Sequence, residues 1–218
     1  MLSAISSPAH WRCQTPRVIL DVQFNSATTP WAEMRDAVSA EFDLDWVGDP
    51  NDDGDYRAVH PDVQYYFGGD SMLATINSPA SQTTTVPTGW ADKQRIIEIL
   101  GEVADRHGYS APVLDHEREY VTEADRRRDF GGGSPAEQVF VSGIIEGPVG
   151  QWVMFSLQDP TKDVDGRFEE RLSIGDWQRA SVTLSYGANA LLPAADRAEF
   201  ERRLQPFLGL EPPEPYES

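Results

Sequence analysis

Cysteine, lysine and long apolar runs are all scarce in this chain, and each scarcity excludes something. The lone Cys13 can close no disulfide within these 218 residues and cannot supply a thiolate zinc cluster, since both need at least two sulfurs. The only lysines are Lys93 and Lys162; with Lys and Arg together numbering 18, that leaves 16 arginines. Such a skew reflects a GC-rich genome or salt adaptation rather than a binding site. No stretch approaches the ~18 consecutive apolar residues of a membrane-spanning helix, and the first residues lack the basic-then-apolar run of a signal peptide. Membrane insertion is therefore not expected.

Catalytic signatures are equally sparse. The segment Gly132-Gly133-Ser134-Pro135-Ala136 lacks the last glycine of a nucleophile elbow and carries a proline that spoils the following turn. Neither lysine follows a glycine-rich phosphate loop. His10, His60, His107 and His116 are scattered, and their positions read as leader, loop, helix C-terminus and strand.

What is abundant is negative charge. Thirty-six acidic residues face 18 basic ones, for a formal net charge of −18. A field of that sign repels a phosphate backbone or an anionic bilayer, so nucleic acid is not expected as a partner, while a protein partner stays open. Hydrophobic residues make up 39%, but six tryptophans and nine phenylalanines bring large buriable areas, so the chain is expected to fold.

The expected organisation is a flexible leader over 1–16, a single α+β domain over 17–209 and an acidic, proline-rich tail over 210–218. A strand is expected over 18–24, where Leu20, Val22 and Phe24 alternate. A helix then begins with Thr29 as N-cap and Pro30 at its first position, and Trp31, Met34, Val38 and Phe42 form its apolar stripe. Residues 63–67 and 72–76 read as a hairpin about Gly68-Gly69, and 77–87 as a Ser/Thr-rich linker. The clearest helix runs from near Thr88 to His107, with Ile96, Ile97, Leu100, Val103 and Ala104 on one side and Gly108 at the left-handed position beyond its end. Strands are expected over 113–121, 138–145, 152–157, 168–174 and 180–186. A last helix over 193–204 is expected to turn Phe200, Leu204 and Phe207 or Leu208 inward. This order predicts a mainly antiparallel sheet with two to three helices packed on one face.

Four constellations could carry chemistry. Asp49, Asn51, Asp53 and Asp55 stand at alternate positions with Gly54 sixth, which matches the opening of a Ca²⁺ loop; His60 occupies the twelfth position where a bidentate Glu belongs, and an ordinary solvated turn has the same composition. Asp115, Glu117 and Glu119 would share one face of a strand and could hold a metal or act as an acid/base pair, or simply face solvent. Arg126-Arg127-Arg128 is the one cluster of positive charge, suited to pairing with Glu123, Asp125 and Asp129 or to contacting an acidic partner. The acidic loop 159–166 reads as a hairpin turn.

The helix from Lys93 to His107 ending in Gly108-Tyr109-Ser110, the acid-rich segment after it and the terminal Pro212-Pro213-Glu214-Pro215 together resemble mycobacterial LppA-type and related actinobacterial lipoproteins. Leu2-Ser3-Ala4 resembles the end of a lipoprotein signal, with Ile5 where the lipidated cysteine belongs. The resemblance implies an envelope-anchored globular domain without catalytic residues to transfer. Localisation then turns on whether a hydrophobic signal precedes Met1: the cell envelope if so, the cytoplasm if not. The leading expectation is a non-enzymatic binding domain without a cofactor. The alternatives are an acidic immunity-type protein binding a basic toxin and a carboxylate-based hydrolase using Asp115, Glu117 or Glu119.

Overall fold

The computed structural model describes residues 21–48, 59–61, 64–65, 69–70, 72–148, 150–173, 178–192 and 196–209. In chain order these form α1 (Asp21–Phe42), β1 (Trp46–Val47), β2 (Val59–Pro61), β3 (Gln64–Tyr65), β4 (Gly69–Asp70), β5 (Ala74–Asn77), β6 (Ser81–Thr83) and α2 (Trp90–Arg106). There follow β7 (Val113–Leu114), α3 (Glu123–Asp125), β8 (Phe140–Glu146), β9 (Gln151–Gln158), α4 (Glu169–Leu172), β10 (Ser181–Leu191) and α5 (Arg197–Leu204). The fold is α+β, and its strand pairs are antiparallel.

The main sheet runs β1-β6-β10-β9-β8-β7. The 11-residue β10 is long enough to pair with β6 along its first half and with β5 along its second, and β2 extends the sheet from β5. Because side chains alternate along a strand, residues paired across the ladder share a face. One face carries Val141, Leu157 and Val182 in one row and Ile145, Val153 and Tyr186 in another, all buried. Met34 and Val38 of α1 and Ile96, Ile99, Leu100, Val103 and Ala104 of α2 complete that core.

The 3.6-residue period of α2 is what makes this packing available. Its apolar positions fall on one side, and burying each large aliphatic contributes about 1.5–3 kcal/mol. Leu100 is wholly buried, and its truncation to alanine would cost about 2–5 kcal/mol. The helix ends as its sequence requires, with Gly108 at φ 72°.

Several expectations are corrected. Asp21–Phe24 belong to α1 rather than to a strand, and the helix continues through Pro30, which sits inside it instead of at its start. Three alternating residues are too short a pattern to separate a strand from a helical turn. Gln64–Tyr65 pair with Gly69–Asp70, not with 72–76, whose strand pairs instead with β2 and β10. The 77–87 linker contains β6, where Thr83 Oγ1 accepts the Val182 amide at 2.7 Å.

The strand expected over 113–121 stops at Leu114 and gives way to a 3₁₀ turn, Asp115–Glu117. The strand expected over 168–174 is the short helix α4, whose Leu172 joins Phe168 beneath the sheet's other face. Loop 159–166 is thus the start of a longer connection rather than a hairpin turn. α5 has no buried residue, and Phe207 and Leu208 are exposed, against the expectation that they face inward. The leader and the tail lie outside the described residues.

Candidate functional site

Two long connections leave the same end of the sheet, since Phe140, Gln158 and Ser181 stand opposite one another where β8 begins, β9 ends and β10 begins. One spans 115–139 and the other 159–180. They meet over the sheet face that α1 and α2 leave uncovered. Phe140, Phe168, Leu172 and Val139 form a small second core there, with Phe140 and Phe168 in edge contact at 5.6 Å. The Arg171 guanidinium lies 4.3 Å over the Phe140 ring while its Nη1 donates to the Asp129 carbonyl at 2.7 Å, joining the connections.

Beyond this small core the second face is open. Its rows, read from the ladder register, are Ser142–Ser156–Thr183, Val113–Ile144–Met154–Ser185 and Glu146–Trp152–Gly187. In a chain of net charge −18, Glu146 is the only charged residue in these rows. Val113 is 45% exposed and Met154 49%. Trp152 is oriented by its Nε1, which donates to Asn189 Oδ1 at 3.3 Å.

A cavity of about 420 Å³ borders this face. Its lining residues, among them Asp115, Arg118, Tyr120, Asp129 and Phe130, all belong to 115–130. The local sequence explains its shape. Thr122 and Asp125 form a capping box that starts α3, with Thr122 Oγ1 donating to Asp125 Oδ2 at 2.6 Å and accepting the Asp125 amide at 3.2 Å. The chain then widens into a π-turn over Arg126–Phe130, closed by Gly131 at φ 91°, a conformation that a side chain would strain.

Asp115 ties the cavity to the open face. Its Oδ2 accepts Ser142 Oγ at 2.7 Å and its Oδ1 accepts Arg118 Nε at 3.0 Å. Asp115 therefore turns the chain out of the sheet. Glu117 side chain is 64% exposed, and the shared face expected for Asp115, Glu117 and Glu119 does not form because a strand does not continue there. Among the described residues no group of three His, Cys, Asp or Glu side chains could hold a metal ion. Asp49, Asn51, Asp53 and Asp55, the residues of the expected Ca²⁺ loop, lie outside the described residues.

The arginine run is engaged locally, as its surroundings predict. Arg128 forks onto Asp129, Nε to Oδ1 at 2.9 Å and Nη2 to Oδ2 at 2.7 Å, and also reaches Asp125 at 2.8 Å. Arg127 binds Glu123, and Arg126 donates to the His116 carbonyl at 3.0 Å. Arg128 holds the Asp129 carboxyl below the usual carboxylate range, and hydrogen bonds from Thr122, ahead of Arg128, do the same for Asp125.

His116, read from sequence as a strand residue, is instead 1% exposed in the 3₁₀ turn, and neither ring nitrogen has a hydrogen-bond partner in the protein. Its ring meets the edge of Phe130 at 6.1 Å, with Glu117 Oε1 3.9 Å from Nε2. Burial pushes the imidazole below its ordinary value, Arg126 adds to that, and the charges of Glu117 and Asp115 oppose it. Nothing in the sequence pattern separates this histidine from a surface one. The open-face residues were legible in principle, because Trp152 and Met154 alternate with the buried Val153 and Phe155 and so had to lie on the other face.

Comparison with family models, with curated proteins and with solved structures finds no match. The site's own geometry must therefore carry the functional reading.

Proposed function

We propose that this chain is a non-enzymatic protein-binding domain that docks a basic partner on the open face of its sheet, as an immunity-type protein neutralising a cationic toxin would. The observation that supports the reading is the row Val113–Ile144–Met154, an apolar stripe crossing three strands whose Val113 and Met154 are nearly half exposed. Contiguous exposed apolar surface of this kind marks interaction sites. The charge of −18 selects the occupant: it repels a second copy of the chain and an anionic bilayer, and it steers a cationic protein toward an otherwise nearly uncharged patch. Attachment to the cell envelope, as the lipoprotein resemblance implies, is compatible with this role. The carboxylate-hydrolase reading draws no support from the site, where Asp115 is engaged by Ser142 and Arg118.

The test places a photo-crosslinking residue at Val113, exposed in the same row as Met154, and captures partners from extracts of the source cells. The reading expects a captured protein of basic isoelectric point whose association slows steeply with salt, and whose binding Met154→Asp weakens by about 100-fold, the scale of a hot-spot residue. Met154 is half exposed, so the variant should fold normally. Capture that is unchanged by Met154→Asp, or an acidic partner, would overturn it.

A further inference from the structure

The cavity at 115–130 deepens this reading, on which it rests, by specifying what the partner brings. We propose that the cavity is the seat of an arginine side chain from the basic partner, whose remaining contact surface lies on the adjoining Val113–Ile144–Met154 row.

Charge, shape and position support this together. The cavity lining holds three carboxylates, Asp115, Asp125 and Asp129, against two guanidinium groups, Arg118 and Arg128, so a cation improves its balance. Asp129 is about half exposed and its side-chain partner is Arg128, itself 67% exposed, so Arg128 can be displaced at little cost. The geometry Arg128 adopts is a template for the incoming group: a planar fork delivering two parallel N–H bonds to one carboxylate, which an ammonium cannot copy. Tyr120 and Phe130 supply aromatic surface at the same cavity, and Tyr120 is 75% exposed. Guanidinium–aromatic stacking recurs among the described residues, as with Arg171 over Phe140 and with Arg35 over Trp31 and Trp46. Position completes the case. Ser142 of the open face bonds Asp115 of the cavity, so one partner surface spans both.

The probe is N-acetyl-arginine methylamide, titrated into the isotope-labelled full chain and followed by amide shifts, with the citrulline analogue as neutral isostere and the lysine analogue as point charge. The expected result is shifts confined to 115–130 with a Kd on the order of millimolar. Citrulline gives no response and lysine a weaker one. Asp129→Asn, which keeps the backbone carbonyl that Arg171 needs, should weaken the arginine probe about 3-fold, and Arg128→Ala should tighten it by a similar factor by freeing the carboxylates. No shifts over 115–130, an equal response to citrulline, or indifference to Asp129→Asn would overturn the proposal. The two readings fail separately. If the face docks the partner but the cavity seats no arginine, Met154→Asp abolishes capture while the probe gives no response. If the face reading is wrong, the probe responds and capture ignores Met154→Asp.

Discussion

Lys93 Nζ lies 2.7 Å from Asp159 Oδ2, with both side chains shut off from solvent, and this pair joins the first turn of α2 to the end of β9. Asp159 is fully used: its Oδ1 accepts the Thr161 amide at 3.0 Å and hydroxyl at 2.5 Å, while its own amide donates to the Val139 carbonyl. Asp159 therefore anchors the beginning of the second connection to α2 through its side chain and to the end of the first connection through its amide. Burial pushes the Lys93 ammonium below its usual value, and the Asp159 hydrogen bond and charge push it back up.

Removing one member of this pair strands the other as a buried charge. Lys93→Met is expected to destabilise the protein by about 3–5 kcal/mol in urea unfolding, whereas adding Asp159→Asn, which retains an acceptor for Thr161, should recover much of that loss. A double variant no more stable than Lys93→Met would show that packing of the lysine stem, not its charge, is what matters.

His116 makes stability depend on pH. Its folded value lies below the ordinary 6.5, so the unfolded chain binds the extra proton between the two values. Stability is then complete above about 6.5 and is lost as pH falls through the window down to the folded value. Unfolding free energies at pH 7.5 and pH 5 should differ more in the native chain than in His116→Leu, which has no proton to take up; equal differences would refute the assignment.

Gly143 admits no side chain. A Cβ there would stand 2.5 Å from the Val113 carbonyl oxygen and 2.7 Å from Phe155 Cζ, so Gly143→Ala must push β7 off the sheet or tilt the ring that covers the glycine. Overpacking of this kind should cost about 1–3 kcal/mol, and hydrogen exchange should quicken at Val113 and Leu114 before the rest of the sheet.

Arg35 lies 4.8 Å from the Trp31 ring and 5.3 Å from that of Trp46, which ties α1 to β1. Arg35→Lys keeps the charge but loses the planar stack. We expect a loss of about 1 kcal/mol and altered tryptophan emission, whereas unchanged emission would mean that the stack does not persist in solution.

The sequence by itself determined the parts governed by local rules. Residues 90–106 announce α2 through a 3.6-residue period and a closing glycine, and the antiparallel β8–β9 pair follows from period-two alternation and a glycine-containing turn. Net charge likewise set the sign of the protein's field without any coordinates. Tertiary structure decided what alternation could not. The acid-rich run after Leu114 looks like a strand face until Ser142 and Arg118 claim Asp115 from outside its own segment, and 169–172 becomes helical where Leu172 can cover Val139 and Phe140. His116 and Lys93 are buried although no sequence pattern marks them as core, because burial depends on which distant segments arrive and not on the residue's own neighbours. The open face is decided in the same way: it is left where the two connections cover only one end of a sheet face over which α1 and α2 do not pack.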